Sequence, residues 1–399
     1  MFCGTQLISM VGGTALLAVL AAAPGHAQTS METTILPFTG EVGDIVALQG
    51  HGAFGAAETV VSFTEATSGG FRPRILLGSA LGEWAFALDE GPSTARSEPC
   101  LFAHETGIYR EAAPHRPVPN LPSPPAMRFR AWTGSAWHEQ DVALGLTRPC
   151  EMGVGAADDT GALYVYLQAI GLGPTTGSEI HVVEQQVHRY VDTVVYRSPE
   201  TLRNLWVGNP SHGPAILMAS YGTQFIAGPF TAQTAELETF EVPGEVLALA
   251  GGEDAHYVAY AEACGTRPAA VDEHGQEHSA TCFPGTGSAI LSATSASTRS
   301  WLALAIDNGG ACRAWFGEGL DLEELPARAC QVAVVIQQNL PTVLHSREGY
   351  RDLALTSLVE VLHLPQDREP PRNETSALPL LWGVGAIVVG ATWRRRGTT

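Results

Sequence analysis

The sequence contains no lysine: all 22 basic residues among its 399 are arginine. Arg-, Ala- and Gly-rich usage fits a GC-rich genome. The chemical consequence holds whatever the cause. Schiff-base enzymes, P-loop nucleotidases, protein kinases and Ser-x-x-Lys acyltransferases all need a lysine amine, and all four are excluded. The zincin motif His-Glu-x-x-His and the serine-hydrolase motif Gly-x-Ser-x-Gly are also missing. Charge is scarce, at 16% of residues, and runs acidic. Apart from Arg394, Arg395 and Arg396 near the end, 19 Arg stand against 41 Asp plus Glu, a net charge of −22. No basic patch can dominate such a surface, so no nucleic-acid partner is expected.

What the chain does have is apolar residues (45%), 43 Gly and 26 Pro. That describes a globular chain with many turns, few surface helices and ample length for a core. Its two ends are different. Leu7 to Ala23 is apolar, and Gly25-His26-Ala27 places small residues where a signal peptidase cuts. A signal peptide over 1–27 is therefore expected, although Met1 to Gln6 carries no positive charge. At the other end, Thr375 to Trp393 has no charged residue, and Arg394, Arg395 and Arg396 follow. That length spans a bilayer core, and the arginines flank it on the cytoplasmic side. Pro365 to Glu374 reads as an extended polar stalk. The expected organisation is a signal peptide at 1–27, a domain at 28–363, a stalk at 364–374, a transmembrane helix at 375–393 and a basic tail at 394–399.

This tail resembles the bacterial PEP-CTERM and MYXO-CTERM sorting anchors over roughly the last 25 residues. Their signature before the span is replaced here by Ser376-Ala377-Leu378-Pro379, so the reading is a plain membrane anchor.

Between the ends, short strand-like runs recur: Trp84–Leu88, Tyr164–Leu167, Ile216–Ala219, Tyr257–Ala261, Trp301–Ala305 and Thr342–His345. From Tyr164 onward their starts are 52, 41, 44 and 41 residues apart. Each run is apolar on both faces, as in a strand packed between neighbours. A more polar hairpin follows each. The clearest pairs Met127–Trp132 with Trp137–Val142 across Thr133–Ala136. Four strands every 40–50 residues is the pattern of a β-propeller blade. The fold class expected is all-β: a propeller of about seven four-stranded blades, or six if the first is incomplete. Thr33–Leu36 is placed to close the ring by joining the last blade. The rival is a β-sandwich followed by a second all-β domain.

The cysteines carry the same period. Cys264 and Cys282 lie 18 residues apart, as do Cys312 and Cys330, and the second pair follows the first by 48. Cys100 and Cys150 enclose a Pro-rich insertion, Ala112 to Ala126. The pairing expected is Cys100–Cys150, Cys264–Cys282 and Cys312–Cys330, each tying an inner strand to the outer edge of its own blade. Such bridges imply an oxidising compartment. Cys3 falls in the signal peptide.

No motif assigns a catalytic, cofactor or metal residue. Gly50–Gly55 matches Gly-x-Gly-x-x-Gly, but the segment after it, from Glu58, reads as a strand and not the helix that would hold a pyrophosphate. Asp272, Glu273, His274, Glu277 and His278 form a charged cluster read as a solvated hairpin tip. His181 and His188 are seven apart and would point to opposite faces of a strand. Asp159-Thr160-Gly161-Ala162-Leu163-Tyr164 resembles the Asp-box of sialidase-type propellers, with Asp254–Tyr257 a weaker echo. In that family the box is a structural turn, so the resemblance implies the fold and not the activity.

The function expected is a binding or interaction module held on a cell envelope, outside the cytoplasm, with a protein or glycan ligand. The alternatives are a propeller-type glycan hydrolase or lyase, and a purely structural envelope protein.

Overall fold

Among the described residues strands build every regular element, because β-branched and aromatic residues alternate between Gly- and Pro-marked turns. In the computed structural model the described residues are 28–361, apart from connecting segments. The longest of those segments are 48–56, 90–100, 113–126 and 143–151. The chain divides into two units, one of residues 29–360 and one of residues 1–28 and 361–399. The second of these lies almost wholly outside the described residues, so the signal peptide and the span at 375–393 do too. Among the described residues no helix is long and apolar enough to cross a membrane.

Unit 29–360 is a succession of antiparallel sheets. Strand β1 is Gln28–Ile35. Next come β2 (Glu41–Ala47), β3 (Ala57–Thr67), β4 (Gly70–Ser79) and β5 (Trp84–Asp89). The second group is β6 (Leu101–His104), β7 (Gly107–Ala112), β8 (Met127–Trp132) and β9 (Trp137–Val142). The third is β10 (Met152–Ala157), β11 (Gly161–Ile170), β12 (Gly177–Gln186) and β13 (Arg189–Ser198). The fourth is β14 (Arg203–Gly208), β15 (Ile216–Tyr221), β16 (Gln224–Pro229) and β17 (Glu238–Glu241). The fifth is β18 (Val246–Gly251), β19 (His256–Glu262), β20 (Gly265–Val271) and β21 (Glu277–Ser279). The sixth is β22 (Ser288–Ala296), β23 (Arg299–Asp307), β24 (Cys312–Glu318) and β25 (Asp321–Glu324). A short β26 (Arg328–Ala329) precedes β27 (Val332–Gln337), β28 (Leu340–Gly349) and β29 (Arg351–Val361).

Groups two to six are separate four-stranded sheets in sequential order. The remaining strands form one nine-stranded sheet, in which the single pair Glu41–Arg351 joins β2–β5 to β27–β28–β29–β1, with β26 also paired to β28. The first strands pack side by side in a closed cycle: β2, β6, β10, β14, β18, β22, β27 and back to β2. This is a propeller-like, all-β arrangement. The N-terminal β1 pairs with β29, so the two ends of unit 29–360 share one sheet.

The core lies between neighbouring sheets. Leu163, Val165 and Ile180 meet Leu202, Leu217 and Phe230 between the third and fourth sheets. Met218 and Phe225 meet Leu249, Val258 and Tyr260 between the fourth and fifth. Val42, Val61 and Phe63 meet Leu344 and Leu353 where β1's partner sheet meets β2–β5. Each fully buried side chain of this kind contributes about 1.5–3 kcal/mol.

The recurring apolar runs are inner strands, each second in its group (β11, β15, β19, β23 and β28). A second strand has a sheet on each face and strands on both edges, so it reads as apolar throughout. One member of the set needs correcting. The Trp84 run is β5, the outermost strand of its sheet. Its Trp84 earns an apolar signature by packing edge-on against Phe38, 6.1 Å away between ring centroids.

Candidate functional site

Because strands alternate in direction, each turn between second and third strands lies at the same end as the connector bringing the chain to the next sheet. That shared end is one face of the cycle. Cys264 sits in the β19–β20 turn and Cys282 in the connector to β22, and they are bonded. Cys312 opens β24 after the β23–β24 turn and Cys330 lies just before β27, also bonded. Both pairings are the expected ones, and the bridges occupy equivalent places. Each ties the turn after an inner strand to the connector that leaves the outer hairpin, at one face. Cys100 and Cys150 lie outside the described residues.

The same face carries an inter-sheet tie. Tyr350, in the β28–β29 turn, donates its hydroxyl to Asp307 Oδ2 at 2.8 Å. The other oxygen of Asp307, at the end of β23, accepts the Gly310 N–H at 2.5 Å. The Pro-rich segment 113–126 lies outside the described residues, and the strands it joins, β7 and β8, end at this face. Two carboxylates stand beside the bridged sulfurs: Glu262 near Cys264–Cys282 and Asp307 near Cys312–Cys330. Metals bind thiolates, and sulfurs bonded to each other offer none.

The first strands line the axis. Among their described side chains, the charged ones are Glu41, Asp44 and Arg203; most other positions are Gly, Ala, Ser or aliphatic. Two residues the sequence did not flag stand out here. Trp206 on β14 spreads its indole over Gly208 and Gly251, where any Cβ would collide with the ring. It thereby reaches the packing on both faces of the fifth sheet. Asn204 has φ +52° at a bulge in β14, a conformation asparagine tolerates better than most residues. Its amide donates to Ser220 Oγ (3.0 Å) and to the Val246 carbonyl (3.1 Å), tying β14 to the neighbouring β18. An Asn two residues before a tryptophan gives no sequence signal for either role.

A polar cluster occupies the third sheet. Register places Tyr166 opposite His181, and β13 brings in Asp192. The Tyr166 hydroxyl donates to Asp192 Oδ2 at 2.6 Å. His181 Nδ1 donates to Asp192 Oδ1 at 2.9 Å, since a carboxylate only accepts. The imidazole stacks on Tyr166 at 4.6 Å, and its Nε2 stands 3.4 Å from Glu179 Oε2, outside hydrogen-bond geometry. Glu179 also accepts from Arg197 Nε at 2.8 Å. Burial raises the Asp192 carboxyl, but the His181 and Tyr166 hydrogen bonds outweigh it and hold it below the usual carboxylate range. His188 lies outside the described residues.

Other sequence candidates fall as follows. Asp272 caps the β20–β21 turn, accepting the His274 and Gln276 N–H groups at 2.9 and 2.8 Å. His274 and Glu273 beside it are largely exposed, at 80% and 87%, which makes this turn a solvated tip. Glu277 instead accepts the Tyr260 hydroxyl at 2.7 Å, and burial with this bond pushes the Tyr260 phenol up. Gly50–Gly55 and Asp159–Thr160 lie outside the described residues, and Gly161 opens β11.

No protein-family model and no curated protein matches the chain. Solved structures similar to it include YCF48 from Cyanidioschyzon merolae, at 12% identity and TM-score 0.45, covering 82% of this chain and 98% of that one. Uncomplexed Pyrococcus horikoshii acylaminoacyl peptidase matches at 8% identity and TM-score 0.45, over 80% of this chain and 51% of that one. Trypanosoma rangeli sialidase in complex with the inhibitor DANA matches at 8% and 0.38, over 83% and 60% respectively.

Proposed function

We propose that the chain is an extracytoplasmic binding module built as a propeller of seven blades, with its ligand on the face that carries the disulfides. Seven is the number of first strands in the closed cycle. The observation that carries the reading is the contrast between axis and face. The axis strands present small and aliphatic side chains, with few charges among those described. The face has its turns and connectors fixed by two disulfides and by the Tyr350–Asp307 bond. Rigid loops on a rigid scaffold are how binding surfaces are built. The ligand class is a protein or a glycan, with no nucleic acid, because the surface is acidic.

Disulfides persist outside the cytoplasm, which supports export. The signal at 1–27, the stalk at 364–374, the membrane helix at 375–393 and Arg394, Arg395 and Arg396 complete the proposal as an envelope anchor. Two experiments test it. Full-length chain sediments with membranes, and chain cut after residue 363 does not; equal sedimentation removes the anchor. On glycan and protein arrays, residues 28–363 bind a ligand, and replacing the Asn308–Ala311 turn weakens that binding while replacing His274–Gln276 at the opposite end does not. An array without hits returns the chain to the structural reading.

A further inference from the structure

The two bridges hold equivalent places yet differ in access. Cys312 and Cys330 are buried, 2% and 3% exposed. Cys264 is exposed and Cys282 half-buried. Cys264 lies in a two-residue turn between Glu262 and Gly265, which are paired across the hairpin. Around its sulfur stand Arg267 Nη2 at 3.9 Å and Glu262 Oε2 at 3.4 Å, themselves paired at 2.9 Å. The guanidinium supplies an attractive field for an incoming thiolate, partly offset by its carboxylate partner.

The surroundings hold without the bridge. Thr266 and Phe283 exchange two backbone hydrogen bonds of 2.8 Å between the hairpin and the connector. Thr266 Oγ1 donates to the Gly285 carbonyl at 2.6 Å, and Arg267 Nη1 to the Ala280 carbonyl at 2.8 Å. Opening Cys264–Cys282 therefore frees the turn tip and residues 281–282, and leaves the sheet paired.

We propose that Cys264–Cys282 is a thiol-exchange site, while Cys312–Cys330 is a structural bridge. A thiolate from a small thiol or a dithiol reductant attacks Cys264 Sγ, the exposed sulfur. The S–S bond breaks, a mixed disulfide forms on Cys264, and Cys282 leaves as thiolate and takes a proton from solvent. A second thiolate then attacks the reductant's sulfur, releasing Cys264 as thiol. The protein gains two electrons, and two reductant thiols are oxidised to one disulfide. The buried pair must wait for local opening. Exchange thus loosens one point of the proposed binding face while the fold is retained.

The test uses the full chain in its disulfide-bonded form, treated with graded dithiothreitol, quenched with iodoacetamide and mapped by peptide mass, each cysteine read separately. Cys264 and Cys282 are expected to become alkylated about tenfold or more faster than Cys312 and Cys330. β-sheet circular dichroism stays unchanged at that stage. In a second arm, glutathione alone leaves its adduct on Cys264. Equal rates, the reverse order, an adduct on Cys282, or loss of β-signal with the first bridge would overturn the proposal. Neither arm depends on a ligand, so failure here is distinct from failure of the binding reading.

Discussion

Replacing Thr356 with valine tests how the ends of unit 29–360 are held in one sheet. His345 lies on β28, fully buried, with Nδ1 2.7 Å from the Ser346 carbonyl. A carbonyl only accepts, so Nδ1 carries the proton and Nε2 of the neutral ring is an acceptor. Nε2 is 2.9 Å from Thr356 Oγ1 on β29, which must therefore donate to it. Thr356 in turn accepts from Thr33 Oγ1 on β1, at 2.8 Å. The chain of donors runs one way, from β1 through β29 to β28. Thr356→Val keeps the shape and removes both hydroxyl bonds. Exposed Thr33 turns to water, but Nε2 is left buried without a partner, at a cost of about 1–3 kcal/mol. For a domain of this size that lowers Tm by about 2–4 °C.

The same network predicts acid sensitivity. Burial, opposed in part by the Ser346 carbonyl, pushes the His345 imidazole below its ordinary value. The unfolded chain therefore binds this proton at higher pH than the folded one. The stability His345 contributes is full above an unfolded value of about 6.5 and is lost as pH falls below that towards the lowered folded value. Urea midpoints of the wild type, Thr356→Val and His345→Gln, measured from pH 8 to 5, check both arms. His345→Gln should flatten the pH dependence. A Thr356→Val midpoint equal to wild type, with an unchanged pH profile in His345→Gln, would refute the reasoning.

Three further outcomes are expected. Gly244→Ala, where a Cβ would run into the Ala261 carbonyl, costs about 1–3 kcal/mol in urea unfolding; a midpoint equal to wild type would discard this. Tyr166→Phe removes the phenol donor from Asp192, weakens the cause of its lowered pKa, and moves the loss of stability to a higher acid pH; a calorimetric acid series reads the shift. Non-reducing peptide mapping finds Cys100 linked to Cys150; linkage of either to another cysteine discards that pairing.

The repeat was legible in the sequence because a second strand packed on both faces has to be apolar at every position, as Tyr257–Ala261 and Trp301–Ala305 are. The Met127–Val142 hairpin and the pairing of β1 with the last sheet were legible for similar reasons, alternation and turn residues in one case and a spare strand in the other. Strand rank within a sheet was not. Trp84 looks like its counterparts, and only its pairing with Gly78 on β4 makes it outermost. The Tyr166–His181–Asp192 cluster was equally hidden, because its members come from three strands and a bulge at Ile180/His181 sets the register.

By itself the sequence determined composition-level facts: no lysine chemistry, an acidic chain, a period of 41–52 residues and cysteines in step with it. These follow from residue type and spacing, which need no third dimension. Tertiary structure decided what those residues face. It put two identically spaced cysteine pairs at equivalent turns, then buried one pair and left Cys264 of the other exposed. Spacing along a chain fixes which atoms can meet, but solvent access depends on what neighbouring sheets lay over them, and neighbours are set by packing.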